Sequence, residues 1–254
     1  MKLPMGYRVI IAVVLATVVP SSLFARSDGI DSKAVRLLEK ATKFLAEQQR
    51  FTVQTQSTLE GVLTSGQKIE FDFSVNLAVE RPNRLRAERV GDVIHQVFYY
   101  DGSTLTLVNP DDLYFATTTA PATLDGMLDY ALQTLDIAAP GSDLLYSNAF
   151  DKFMEDVESA LVVGESVIDG VRCHHLAFHK PYVDWQMWIE KGDRPLVRKM
   201  VIASTDVEGA PEYSVVLTDY DFSPKFADGT FHFDPPEDAT AIAFLSTSGE
   251  FVAE

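Results

Sequence analysis

The sequence predicts a mainly β chain of the α+β class: a curved antiparallel sheet, forming an incomplete β-barrel, covered by helices. Three observations carry this. Residues 69–79 alternate strictly, with Ile69, Phe71, Phe73, Val75, Leu77 and Val79 on one side and mostly polar residues between them. That period of two describes a long antiparallel strand with one wet and one apolar face. Turn dipeptides, Asp101-Gly102 and Asp169-Gly170, sit between β-patterned runs and read as hairpins. Apolar stripes at helical spacing are few, at 31–49 and 124–135, so helices serve as cover rather than framework.

The N-terminus comes first in order. Lys2 and Arg8 precede an apolar run of 11 residues, Val9 to Val19, which Pro20, Ser21 and Ser22 interrupt before Ala25. This is the order of a secretory signal peptide, expected to span 1–25, and the run is short for a permanent membrane span. The mature chain, 26–254, reads as one domain and is expected in a periplasm. No Cys lies near the cleavage region, so the lipid-attachment signal of a tethered lipoprotein is absent.

The first mature element is a helix over Asp31 to Gln49, with Ala34, Leu37, Leu38, Ala41, Phe44 and Leu45 as its stripe. Phe51 to Leu59 begins the strands, and the strand of residues 69–79 follows. Arg81-Pro82-Asn83 turns the chain into Leu85 to Val90, a charged strand with Arg84, Arg86 and Glu88 on one side. Asp92 to Tyr100 and Ser103 to Val108 form the first hairpin. A helical insertion is expected near 117–160, in two pieces. The first carries Leu124, Met127, Leu128, Ala131, Leu132 and Leu135, and the second runs from Asp143 to Ala160. Then come Leu161 to Ile168 with Val171 to His179, a strand holding Trp185, Met187 and Ile189, Leu196 to Ser204, Tyr213 to Phe222, and a short strand at Phe231-His232-Phe233. No repeat of 20–50 residues and no low-complexity linker interrupts the series.

Composition narrows the function. The chain has 254 residues, 46% hydrophobic, with 16 Phe, 9 Tyr and 2 Trp, enough for a sizeable core. Its formal net charge is −16, and losing segment 1–25 removes two positive charges, leaving about −18. So acidic a surface repels phosphate backbones and anionic headgroups, which disfavours nucleic acid as a partner. The single cysteine, Cys173, rules out an internal disulfide.

The order of motifs resembles periplasmic lipoprotein-carrier and lipoprotein-sorting proteins, the LolA-LolB-like superfamily, and most of all a group of uncharacterised predicted periplasmic proteins within it. Val167-Ile168-Asp169-Gly170-Val171-Arg172-Cys173-His174-His175-Leu176 resembles that family's D-G-x-x-C/A-x-x-L hairpin. Trp185 to Met200 is similar to its W-I/V-D strand, charged turn, P-L step and basic strand. Phe231 to Pro236 resembles its closing F-x-F-x-P-P, and Arg81 to Arg86 its R-P-N-R-L-R strand ending. The resemblance implies an unclosed barrel with helices lidding an apolar cavity, and non-covalent carriage of acyl chains or lipids. The insertion departs from the smaller soluble carriers and is expected to lid, enlarge or fill the cavity.

The remaining chemistry is weighed residue by residue. His174, His175 and His179 with Cys173 invite a metal reading, but strand alternation splits them between faces and no partners on another strand are evident. The hairpin itself accounts for them. No G-x-S-x-G, G-x-x-x-x-G-K-[ST] or G-x-G-x-x-G occurs, and Asp111-Asp112, Glu155-Asp156 and Glu237-Asp238 read as solvated surface. No catalytic residue, cofactor or metal is assigned, and the protein is read as a non-enzyme.

The apolar inventory is the better clue. Phe71, Phe73, Val75, Phe98, Phe178, Trp185, Met187 and Met200 are expected to line a ligand cavity, with Met127, Leu128 and Leu132 as lid positions. Tyr99 and Phe231 are also expected inward. An ordinary filled core uses the same residues, and composition does not separate the two. Arg84, Arg86 and Arg89 are candidates to meet a headgroup or partner, against the plainer reading of solvated strand faces. Two functions follow: a carrier of a lipid or acylated-protein ligand, or an envelope structural or protein-interaction module with a filled core and no small ligand. Ligand identity and oligomeric state stay open at this point.

Overall fold

The computed structural model describes residues 29–245 and 251–252; the expected signal segment lies outside them. The first element is helix α1 (Ser32–Ala46), capped by Asp31, whose carboxylate accepts the Lys33 backbone N–H at 2.7 Å. Its stripe works as the spacing predicts: Ala34, Leu38, Ala41 and Leu45 are all buried. Six strands follow as an antiparallel meander: β1 (Arg50–Val62), β2 (Lys68–Glu80), β3 (Arg84–Gly91), β4 (Ile94–Tyr100), β5 (Thr104–Asn109) and β6 (Tyr114–Thr119). The insertion comes next, with α2 (Leu124–Gln133), a 3-10 turn at Ser142–Leu145 and α3 (Ala149–Met154). A second meander holds β7 (Ser159–Ile168), β8 (Val171–Lys180), β9 (Val183–Glu190), β10 (Val197–Ser204) and β11 (Glu212–Asp221).

The two meanders join in the middle, because β1 pairs antiparallel with β11. The result is one curved sheet of twelve strands that does not close into a barrel. Its last member, β12 (Thr240–Ile242), adds parallel to β6 and makes the sheet mixed rather than wholly antiparallel. Phe244–Leu245 and Phe251–Val252 form a small separate ladder.

Register explains where the core sits. Phe51 pairs with Val79, Val79 with Leu85, Leu85 with Tyr100, and Tyr100 with Leu105. These five side chains form one row across five strands, and each is at most 5% exposed. The insertion is pinned at that row. The Tyr100 hydroxyl donates to the Pro121 carbonyl at 2.5 Å, and the Leu124 N–H donates to the Pro82 carbonyl at 2.9 Å.

Several local expectations differ from the structure. Residues 114–119 are a strand, so the insertion begins only after Thr119; a run of three threonines there carried too weak an apolar alternation to be read. The second helical piece is confined to the 3-10 turn and α3, since Ser159 already starts β7. Residues 231–233 are not a strand. Phe233 instead packs on Tyr99 and Phe115, with ring centroids at 5.6 and 5.3 Å, while Phe231 meets Phe226 edge-on at 4.9 Å. Tyr99 therefore faces away from the helices, as its neighbour Phe98 on the helix side requires.

Candidate functional site

Burial of the helix-covered face falls along the strands. The row at Val79, Leu85 and Tyr100 is sealed, whereas the next inward positions, Leu77, Ala87 and Phe98, are only partly buried, as are Val75 and Leu107. Further along β2, Phe73 is 8% exposed, and beyond it Phe71 and Ile69 are partly exposed and do not pack against the main core. The cover thus closes one end of the apolar face; beyond it Val75, Leu77, Ala87, Phe98 and Leu107 pack against the core yet stay partly exposed. Apolar side chains held open by a rigid sheet are a ready contact surface for an apolar ligand.

The predicted lining residues divide into two groups. Phe178, Trp185, Met187 and Met200 lie under α1 and α3 as packed core. Phe178 stacks on Trp185 at 3.8 Å with 6° between planes, and Phe153 of α3 fits against the same indole at 5.2 Å. Phe71, Val75 and Phe98 belong to the partly exposed strip, with Phe73 at its edge. Among the lid positions, Met127 is buried, Leu128 is partly buried against the core, and Leu132 is 52% exposed and faces solvent. Leu77, already on the apolar side by alternation, and Ala87 and Leu107 complete the strip without being among the expected lining residues; the odd-position pattern of β2 and the pairing of β3 to β5 place them there.

A polar cluster enters the face beside Phe73. Tyr213 of β11 exchanges a hydrogen bond with Ser57 at 3.1 Å, and its ring stacks with Phe73 at 6.4 Å. Burial pushes the Tyr213 phenol pKa up, against that hydrogen bond and the nearby Arg89 charge. The Arg89 guanidinium carbon sits 4.0 Å over the other aromatic of the pair, Phe73. Gly91, opposite Phe73, permits this close packing of β2 on β3: a Cβ there would stand 2.4 Å from both the Asp72 carbonyl oxygen and the Phe73 Cβ.

Other features carry less. Two hollows of about 460 and 450 Å³ lie away from the strip, one among Gln49, Arg50, Glu80 and Arg84, the other between α1 and residues 147–151. Their charged linings suit water better than an acyl chain. Cys173 is buried on the face away from the helices, with Trp188 and Val201; His175 stacks on Trp188 at 4.1 Å and bonds to Gln186 at 2.8 Å. His174 points the other way, as alternation requires. Among the described residues no three His, Cys, Asp or Glu side chains converge as metal ligands, and no helix is long and apolar enough to cross a membrane.

The architecture is thus an open, helix-covered β-sheet with a partly exposed apolar strip. The chain belongs to the family of predicted periplasmic proteins DUF2092, whose model matches residues 34–245. No curated protein matches it significantly. Among solved structures it is similar to LprF from Mycobacterium bovis (13% identity, 84% of this chain and 100% of that one, TM-score 0.46). It is also similar to the lipoprotein LppX from Mycobacterium tuberculosis (14%, 78% and 100%, 0.48). A LolA superfamily protein from Nitrosomonas europaea aligns at 13% identity over 79% of this chain and 97% of that one, with a TM-score of 0.35.

Proposed function

We propose that this protein is an exported, periplasmic, non-enzymatic carrier that holds the acyl chain of a lipid or lipidated protein against the strip of Phe71, Val75, Leu77, Ala87, Phe98 and Leu107. The observation behind the reading is that these inward side chains stay partly exposed while the equivalent row at Val79, Leu85 and Tyr100 is sealed. Residues 1–25 are its signal peptide, and residues 26–254 form a single mature domain. Burial of a methylene is worth about 0.8 kcal/mol, so a long chain binds usefully and reversibly without any catalytic group. In this reading Met127 and Leu128 of α2 serve as lid positions.

The test is native mass spectrometry of the mature protein purified from a bacterial periplasm, followed by solvent extraction and lipid analysis. A stoichiometric lipid that Phe71→Asp abolishes, with the circular dichroism spectrum kept, supports the carrier. A ligand-free mass that oleate and phospholipid leave unchanged removes it and favours an envelope interaction module.

A further inference from the structure

Three arginines on β3 meet three different environments. Arg84 pairs with Glu80 at 3.0 Å, and Arg86 with Glu88 at 3.1 Å, with its guanidinium over the Tyr99 ring on the face away from the helices. Arg89 alternates to the helix-covered face, directly across from Val75 on β2 and Gln96 on β4. On that face, the inward positions of β1 to β6 are apolar or neutral, and Arg89 is the one charged residue among them.

Its bonding is incomplete. One face of the guanidinium plane rests on Phe73, an arrangement that favours a cation. Its Nε is buried without a hydrogen-bond partner, and among the described residues no carboxylate lies within ion-pair distance of the guanidinium. Burial drives its pKa down, with Tyr213 acting against this, yet an arginine stays protonated at neutral pH. A partly buried cation with an unpaired Nε is a cost to the folded chain unless something supplies the anion. The fork of N–H donors matches a carboxylate or phosphate in shape.

We infer that Arg89 is the head-group site of the strip, receiving the anionic head of an acyl amphiphile whose chain lies along Val75, Leu77, Phe98 and their neighbours. The assignment rests on the carrier reading and sharpens it from any apolar ligand to anionic acyl lipids. Phe73 holds the guanidinium in place from below, and Tyr213 fixes Phe73 by stacking.

The experiment compares three probes of one chain length against the full mature protein: oleate, oleoyl lysophosphatidate and uncharged oleyl alcohol. Affinities come from titration calorimetry, and the variants are Arg89→Met and Arg89→Lys. The wild type is expected to bind at least one anionic probe about tenfold or more tighter than the alcohol, as a charge-assisted bidentate contact allows. Which anion is preferred separates a carboxylate from a phosphate head. Arg89→Met should erase that preference and leave the alcohol's affinity in place, while Arg89→Lys keeps part of it. The denaturation midpoint of Arg89→Met should be unchanged or higher, because the variant removes an unpaired charge; a marked fall would reveal a protein partner and overturn the assignment. Equal binding of all three probes, or a preference that survives in Arg89→Met, also overturns it while leaving the carrier intact. Binding of none removes the carrier reading and this one together.

Discussion

The guanidinium of Arg81 donates to the backbone carbonyl of Leu145 at 2.8 Å, linking the β2–β3 turn to the middle of the insertion. Its backbone N–H also donates to the Gln49 carbonyl at 2.8 Å, just ahead of β1. Burial lowers its pKa and the Asp125 charge opposes that shift. One side chain thus fastens the cover to the sheet at its sealed end. Arg81→Met should destabilise the protein by about 1–3 kcal/mol, the range for a hydrogen bond from a charged donor to a buried acceptor. Urea denaturation gives the number, and hydrogen exchange should show faster opening across residues 142–157. An unchanged midpoint would mean that the helices are held by apolar packing alone.

The packed half and the accessible half should separate under mutation. Trp185 is 3% exposed between Phe178 and Phe153, so Trp185→Ala should cost about 3–5 kcal/mol of stability. Phe71 is partly exposed and outside the main core, so Phe71→Ala should cost less than about 1.5 kcal/mol. The same Phe71 substitution should weaken oleate binding, whereas Leu132→Ala, on an exposed side chain of α2, should leave both quantities alone. Equal losses of stability at 71 and 185 would contradict the division of the face.

That division was the part of the site the sequence did not carry. Alternation along residues 69–79 identified the inward residues, because side-chain direction in a strand follows from period alone. Whether an inward side chain is sealed depends on where the cover lands, and that is a tertiary matter. Trp185 and Phe71 look alike as apolar inward positions, yet α3 reaches only the first. The arginines repeat the lesson: Arg84, Arg86 and Arg89 are close in sequence, and only pairing partners on neighbouring strands tell the unbonded one apart. The strand of Thr117, Thr118 and Thr119 was missed for a local reason, since threonine is a strand former without being an apolar marker. The hairpins at Asp101-Gly102 and Asp169-Gly170 were legible because turn chemistry is local; Asp169 and Gly170 both have positive φ, at 46° and 79°.

Asp101 gives the fold a pH dependence. Burial raises its pKa, but the backbone N–H groups of Thr104 and Ser103, the Ser103 hydroxyl and His232 outweigh that and hold it at about 2, below the ordinary 3.8. A carboxyl whose folded pKa is depressed contributes stability above its unfolded pKa, and that contribution is lost as the pH falls from about 4 toward about 2. Asp101→Asn should therefore be less stable than the wild type at neutral pH, and the gap should narrow at about pH 2.5. Urea midpoints of both proteins at the two pH values decide it. A gap that stays constant would assign the loss to geometry rather than charge.

Cys173 should be inert in the native state. Its side chain has no exposure, and it packs with Trp188 and Val201 on the face away from the helices. Burial pushes its pKa up; the Arg198 charge opposes this and Glu190 adds to it, so the thiolate that reacts with electrophiles is scarce at neutral pH. A thiol reagent that colours on reaction should label the folded protein far more slowly than the same protein in concentrated denaturant, where one equivalent should react at once. Adding oleate should leave the native rate unchanged, because the strip lies on the opposite face of the sheet from this thiol. Fast native labelling would mean that β8 and β9 open readily in solution, and protection by oleate would mean that ligand binding tightens the sheet through to its far side.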